Sequence, residues 1–219
     1  RGDGNHDHIT NLSRGAYGPK QGVPRILDML DVYGVKATFF IPGVIAEHYP
    51  LVVKEISRRG HEIGFHGYLH EESTATSYEE EDATMTRCET IIKDLTGQSI
   101  AGHRGPGGVI HDYSLRLFLE HGYLYSSNWR DSDGPFIHTI DGRQVPLVEL
   151  PKDSIFDDTA YDFYTDSAPE RYELKSPREM LEIWKDEFDS LAAEGRMINF
   201  VLHPQFIGRA SRVNMLSEL

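Results

Sequence analysis

The 219 residues are expected to fold as an α/β protein, a parallel sheet covered by helices. Three observations carry this. Short β-branched and aromatic runs alternate with stretches of helical period, glycine or proline punctuates most boundaries, and reactive side chains recur just after the apolar runs. The length suits a single α/β barrel with a substantial core, so one domain over residues 1–219 is expected.

After a polar opening, residues 21–33 place Val23, Ile26, Leu27 and Leu30 at helical spacing, with Pro24 tolerated in the first turn and Gly34 as the stop. Residues 35–41 read as a buried strand closed by Pro42-Gly43. A helix over 49–59 turns Val52, Val53 and Ile56 inward, Gly60 stops it, and 62–65 forms the next strand. The pattern continues with a helix over 78–95, a strand over 99–103, a helix over 114–120 and a strand over 123–127. Residues 145–150 read as a strand, Ser176-Pro177 opens a helix running to about 194, and 197–202 makes a last buried strand. The tyrosine-rich stretch 156–175 has no clear period and reads as a loop at the barrel mouth or flank. The run Glu79-Glu80-Glu81-Asp82 suits the solvated first turn of a helix. No internal repeat is visible.

Hydrophobic residues make up 39% of the chain and charged residues 26%, which is enough apolar material for a core. A formal net charge of -13 disfavours nucleic acid, whose binding needs clustered Lys and Arg, and favours neutral or cationic substrates. No apolar run approaches the roughly 18 residues of a membrane span, and no signal peptide is visible. The compartment stays open, with the cytoplasm the nearer expectation. Cys88 is the one cysteine, so no disulfide forms within these residues, and its acidic surroundings suit inert packing.

Chemistry-bearing residues fall just after expected strands, where parallel α/β barrels build their active sites. In His66-Gly67-Tyr68-Leu69-His70, a spacing of four on a helical turn brings two imidazoles to one side, where they can share a divalent ion. With 11 histidines in the chain the same spacing also arises by chance, so both readings stand. Two neutral imidazoles leave a zinc-like ion short of ligands, and a carboxylate and a water are still needed. Arg104-Gly105-Pro106 reads either as a surface turn or as a guanidinium that holds a carboxylate bidentately. His203, within Leu202-His203-Pro204, reads as a satisfied core histidine or as a proton donor to a departing amine. Asp133 lies in an acidic turn and alternatively supports an imidazole. Asp157-Asp158 reads as a like support for an imidazole or, the nearer expectation, as part of a loop surface.

Taken in order, His66-xxx-His70, Arg104-Gly105-Pro106, Asp133 and Leu202-His203-Pro204 resemble the polysaccharide deacetylases of the NodB-like family. Ser13-Arg14-Gly15-Ala16-Tyr17-Gly18, Lys36-Ala37-Thr38-Phe39-Phe40, Gly60-His61-Glu62-Ile63-Gly64 and His66-Gly67-Tyr68 are similar to its peptidoglycan-deacetylase and allantoinase-like subgroup. The resemblance implies a distorted (β/α) barrel and a divalent metal, zinc first, held by His66, His70 and an aspartate. It implies His203 as general acid, with Arg104 and Asp133 in support and substrate contacts from Tyr68, Pro106 and Pro204. The third ligand is expected on a first strand upstream of Arg1, and a final helix and strand after Leu219. Candidate ligands in the opening residues 2–8 are expected to be mobile.

The implied reaction is hydrolysis of a C–N amide bond, as in deacetylation of an N-acetylated sugar or peptidoglycan-like glycan. Hydrolysis of a cyclic imide or allantoin-type ureide is the rival within the same cleft. An inactive protein that binds a glycan or small amide is the rival from another class. The partner expected is a small-molecule or glycan substrate, and association into a homo-oligomer follows from the resemblance alone.

Overall fold

Apolar spacing and glycine stops set the first described elements. The computed structural model describes residues 13, 15–72, 76–162 and 174–219, so the candidate ligands of residues 2–8 and the centre of the 156–175 stretch lie outside the described residues. A π-helical turn, Gly18–Gly22, runs into helix α1, Val23–Tyr33. Val23, Ile26 and Leu27 are buried, Pro24 occupies the first turn, and Gly34 ends the helix at φ +66°. There follow β1 (Thr38–Ile41), α2 (Gly43–His48), α3 (Pro50–Arg58), β2 (Glu62–Phe65), α4 (Tyr78–Thr96), β3 (Gly102–His103), α5 (Ser114–Glu120), β4 (Tyr125–Ser126), β5 (Phe136–Ile140) and β6 (Arg143–Glu149). The chain then forms α6 (Thr159–Asp162), α7 (Pro177–Ala193) and α8 (Ala210–Glu218). Among the described residues no helix is long and apolar enough to cross a membrane.

Two compact units result, one of residues 36–152 and one of the stretches flanking them. The 36–152 unit holds a six-stranded sheet in the order β1-β2-β3-β4-β6-β5. All neighbours run parallel except the terminal β5–β6 pair. This is the α/β fold with a parallel-rich sheet that the alternation implied. Gly102 lets β3 and β4 pack closely, since a Cβ there would lie 2.1 Å from the Tyr125 ring. Ile63, Phe65, Tyr123 and Leu147 of the sheet region are buried, as are Met85, Cys88 and Ile92 of α4 and Leu117 and Phe118 of α5. A capping box between Ser77 and Glu80 starts α4, and Gly97 closes it at φ +75°.

In the second unit a capping box between Ser176 and Glu179 starts α7, whose Met180 and Trp184 are fully buried. The Trp184 indole N–H donates to the Ile155 carbonyl over 2.8 Å, and its ring packs 5.1 Å from that of Phe200.

Some expectations need correction. The apolar run 197–202 makes only one parallel bridge, Val201 to Asp157, and the runs 99–103 and 123–127 shrink to two-residue strands. Burial of a run fixes its packing, whereas strand assignment needs a partner in register. The strand over 145–150 is the longer β6, and its antiparallel neighbour β5 was not foreseen. Asp141 and Gly142, at φ +50° and +74°, close that hairpin, and Asp-Gly is a favoured pair for such a turn. Glu81 is not solvated with the rest of its acidic run, because both its oxygens accept from the buried Ser114 hydroxyl.

His121, after α5, places Nδ1 2.8 Å from Glu89 and Nε2 2.8 Å from Asp82, both on α4. A neutral imidazole has one N–H, so both contacts are satisfied only by the imidazolium. Burial pulls the His121 pKa down, but the Asp82 hydrogen bond and the Glu89 charge outweigh it and the net shift is upward. A raised folded-state pKa adds stability that is complete below the unfolded value of about 6.5 and fades as pH rises through the folded value. Melting temperature measured from pH 5.5 upward should therefore fall across that window, and His121→Gln should flatten the fall. A slope unchanged in His121→Gln would contradict the assignment.

Candidate active site

Strand β2 ends at Phe65, and Phe65 pairs with His103 of β3. The chain leaving β2 does not make the helical turn expected of residues 66–70. Gly67 and His70 take φ of +73° and +65°, values foreign to a right-handed helix. The tight loop still brings the imidazoles together, with ring centroids 4.9 Å apart and planes at 75°. His66 Nδ1 lies 2.5 Å from the Arg104 carbonyl, so Nδ1 carries the proton and Nε2 the lone pair. Gly43 and Val44 N–H groups donate to the Gly67 and Tyr68 carbonyls, each over 3.0 Å. Cys88 packs beneath Gly67, and burial pushes its thiol up to about 12, consistent with inert packing.

The strand ends beside His66 are cross-braced. Arg104 donates to the Ser127 hydroxyl over 2.8 Å while its guanidinium lies 4.7 Å from the Phe40 ring centroid. Ser127 in turn donates to the Leu150 carbonyl over 2.7 Å. Asn128 accepts from the Gly105 N–H and donates to Ser126 and to His103 Nδ1. Burial drives the His103 pKa well down, which keeps that ring neutral. The fully buried Glu149 accepts from the Asn128 and Trp129 N–H groups and from His138 Nε2 at 2.8 Å. Burial raises the Glu149 pKa, but these hydrogen bonds outweigh it and the net shift is downward.

In the other unit His203 follows the bridge at Val201. Asp158 Oδ1 lies 2.6 Å from His203 Nδ1, and Asp158 Oδ2 accepts from the His203 backbone N–H over 2.8 Å. Asp158 is wholly buried and not on a loop surface, because its own N–H is held by the Val201 carbonyl. Burial raises the Asp158 pKa, partly offset by the bonds from His203. Asp157, Asp158 and His203 have donor atoms within 4.8 Å of one another, the only such trio found among the described residues. Both Asp158 oxygens are committed to His203, and Asp157 Oδ1 accepts from the Thr159 N–H and hydroxyl. The trio is therefore built as an oriented imidazole–carboxylate pair.

The role expected of Asp133, a carboxylate against an imidazole, is filled at His203 by Asp158. Asp133 itself is exposed in the bend before β5. Tyr68 donates its hydroxyl to Glu47 over 2.7 Å, and the Arg87 guanidinium covers its ring 3.6 Å from the centroid. Pro106 is buried and opens a 3₁₀ turn ending at Gly108. Pro204 packs so closely on Gly22 that a Cβ at Gly22 would come within 2.1 Å of its carbonyl oxygen. Sequence reasoning missed Ser127, Asn128 and Glu149, and it ranked the imidazole-supporting reading of Asp158 behind a loop surface.

Two imidazoles brought edge to face are a donor set that suits a borderline divalent ion such as zinc. The His66 tautomer fixed by the Arg104 carbonyl is the kind of outer-sphere contact that orients such ligands. On these observations the residues fit a metal.

Residues 16–126 match the polysaccharide deacetylase family model. A Helicobacter pylori peptidoglycan deacetylase is 28% identical, spanning 94% of this chain and 78% of its own length. A solved structure from Mycobacterium smegmatis, described as a polysaccharide deacetylase, superposes with a TM-score of 0.91 at 32% identity, covering 97% of this chain and 73% of that one. A solved allantoinase superposes with a TM-score of 0.83 at 26% identity, covering 96% and 68%. A family model that spans half the chain, with a solved relative aligned along nearly all of it, shows that this protein belongs to the polysaccharide deacetylase family, hydrolases of carbon–nitrogen bonds other than peptide bonds.

Proposed function

We propose that residues 1–219 belong to one catalytic domain that removes the N-acetyl group from a sugar of a peptidoglycan-like glycan, with the help of a divalent metal. The observation that carries this reading is the meeting of the His66 and His70 rings, 4.9 Å apart, at the end of a parallel strand. The two imidazoles hold the metal, zinc first, together with an aspartate expected upstream of Arg1. When bound, the metal supplies Lewis acidity toward the acetamide carbonyl. Arg104 holds a carboxylate in its ionised form, and Tyr68, Pro106 and Pro204 line the substrate's path. His203 delivers a proton to the leaving nitrogen, and Asp158 keeps its ring in the Nδ1–H tautomer and stabilises its protonated form. Asp133, expected to support an imidazole, is exposed in its bend, and Asp158 takes that role in this reading.

The likeness to an allantoinase supports a second reading, hydrolysis of a ring C–N bond in a cyclic ureide. A panel containing N-acetylglucosamine oligomers, peptidoglycan fragments, allantoin and cyclic imides separates the two. Acetate release from the sugars is the expected result. Ring opening of the ureides without acetate release would transfer the assignment to the second reading.

His66→Ala and His70→Ala should each lose stoichiometric zinc, measured by elemental analysis, together with activity. Full activity in wild-type protein after thorough metal removal would refute the assignment. His203→Ala should lower kcat roughly 10²–10⁴-fold, the usual contribution of a positioned acid. A general acid works only when protonated, so activity falls as pH rises through its pKa. Asp158→Asn removes the charge that favours the protonated ring, and the alkaline limb of the kcat profile should move to lower pH. An unmoved limb would remove His203 and Asp158 from that role.

A further inference from the structure

We infer that Glu71 is the positioning residue of the histidine loop, its carboxylate setting His70 against His66 by gripping the backbone between them. The inference rests on the reading of His66 and His70 as metal ligands. Glu71 Oε1 accepts from the Tyr68 N–H over 2.8 Å, and Oε2 accepts from the next N–H, that of Leu69. One oxygen thus serves each of two successive amides, and both bonds are strengthened by the full negative charge. Glu71 follows His70 directly, so a side chain reaching back across the loop constrains the backbone of the residue it passes.

That residue needs constraint. His70 and Asp141 are the two non-glycine residues at positive φ among those described, and Asp141 sits in a hairpin turn that favours it. A left-handed non-glycine residue persists where its surroundings over-determine it, which is common at functional sites. Gly67 carries the turn that the grip spans: its φ of +73° favours glycine, and the Glu71 carboxylate lies 3.4 Å from where a Cβ would stand, an ordinary contact distance. With both oxygens on backbone amides, Glu71 acts on the metal through the loop. Glutamine offers a single acceptor oxygen and turns an NH₂ toward the second amide, so Glu71→Gln tests the grip with little change in size.

The test compares wild type, Glu71→Gln, Glu71→Ala and His70→Ala by amide exchange at Tyr68 and Leu69 in metal-free protein, by zinc affinity in a chelator competition, and by melting temperature. We expect faster exchange at both amides in the Glu71 variants and zinc affinity lowered roughly 10–100-fold, the usual cost of losing an orienting contact. Melting temperature should stay close to wild type, and His70→Ala should lose zinc while keeping slow exchange at Tyr68. A Glu71→Ala protein with wild-type exchange and affinity would overturn the proposal. So would loss of zinc with exchange unchanged, since that result makes Glu71 a direct ligand. If wild type itself takes up no zinc, the metal reading falls, and the exchange arm alone decides whether Glu71 holds the loop.

Discussion

The hydrogen bond from the His66 ring to the Arg104 carbonyl ties together the ends of two adjacent parallel strands. A histidine on a loop is useful as a ligand only if one nitrogen keeps its lone pair and the ring keeps its direction. The backbone of the neighbouring strand end supplies both conditions. That carbonyl is held in place because Gly105 is fixed by Asn128 and the Arg104 side chain by Ser127. The chemistry of the His66 loop thus depends on sheet register. A slip of β3 against β2 would move the carbonyl and release the ring.

The same economy recurs at two other imidazoles. Glu149 holds His138 and Asp158 holds His203, each carboxylate fully buried and each also fastened to backbone N–H groups. Burying a carboxylate is costly unless its oxygens are satisfied. Here the backbone bonds meet that cost and leave a rigid acceptor for the ring. The two carboxyls nonetheless shift in opposite directions. Glu149, with more donors around it, is lowered, whereas burial dominates at Asp158 and raises it. Proton delivery, the role proposed for His203, gives a reason for such investment there.

Much of this architecture was legible in the residues. The helices at 23–33, 50–58, 78–96, 114–120 and 177–193 announced themselves through apolar spacing, first-turn prolines and glycine stops, which act locally. The pairing of His66 with His70 was also legible, though for the wrong reason: the loop achieves with two positive φ values what a helical turn was expected to do. What stayed hidden depended on partners distant in sequence. Nothing local distinguishes Asp158 from a surface acid, since its burial comes from Val201 and its bond from His203. Asp133 carried a motif and proved exposed, while Glu71 carried none and grips the loop. Short strands such as Gly102–His103 were overextended because the expected run begins well before the first residue that finds a partner.

His66, its tautomer fixed by the Arg104 carbonyl, and the adjacent His70 ring are proposed to form one cation site. Nitrogen-15 spectroscopy of the histidine rings tests it most directly. In metal-free protein the account predicts His66 protonated at Nδ1, and on zinc addition it predicts that the His66 and His70 ring nitrogens shift together at one equivalent. A His66 ring protonated at Nε2, or a titration that leaves both rings unperturbed, would contradict it.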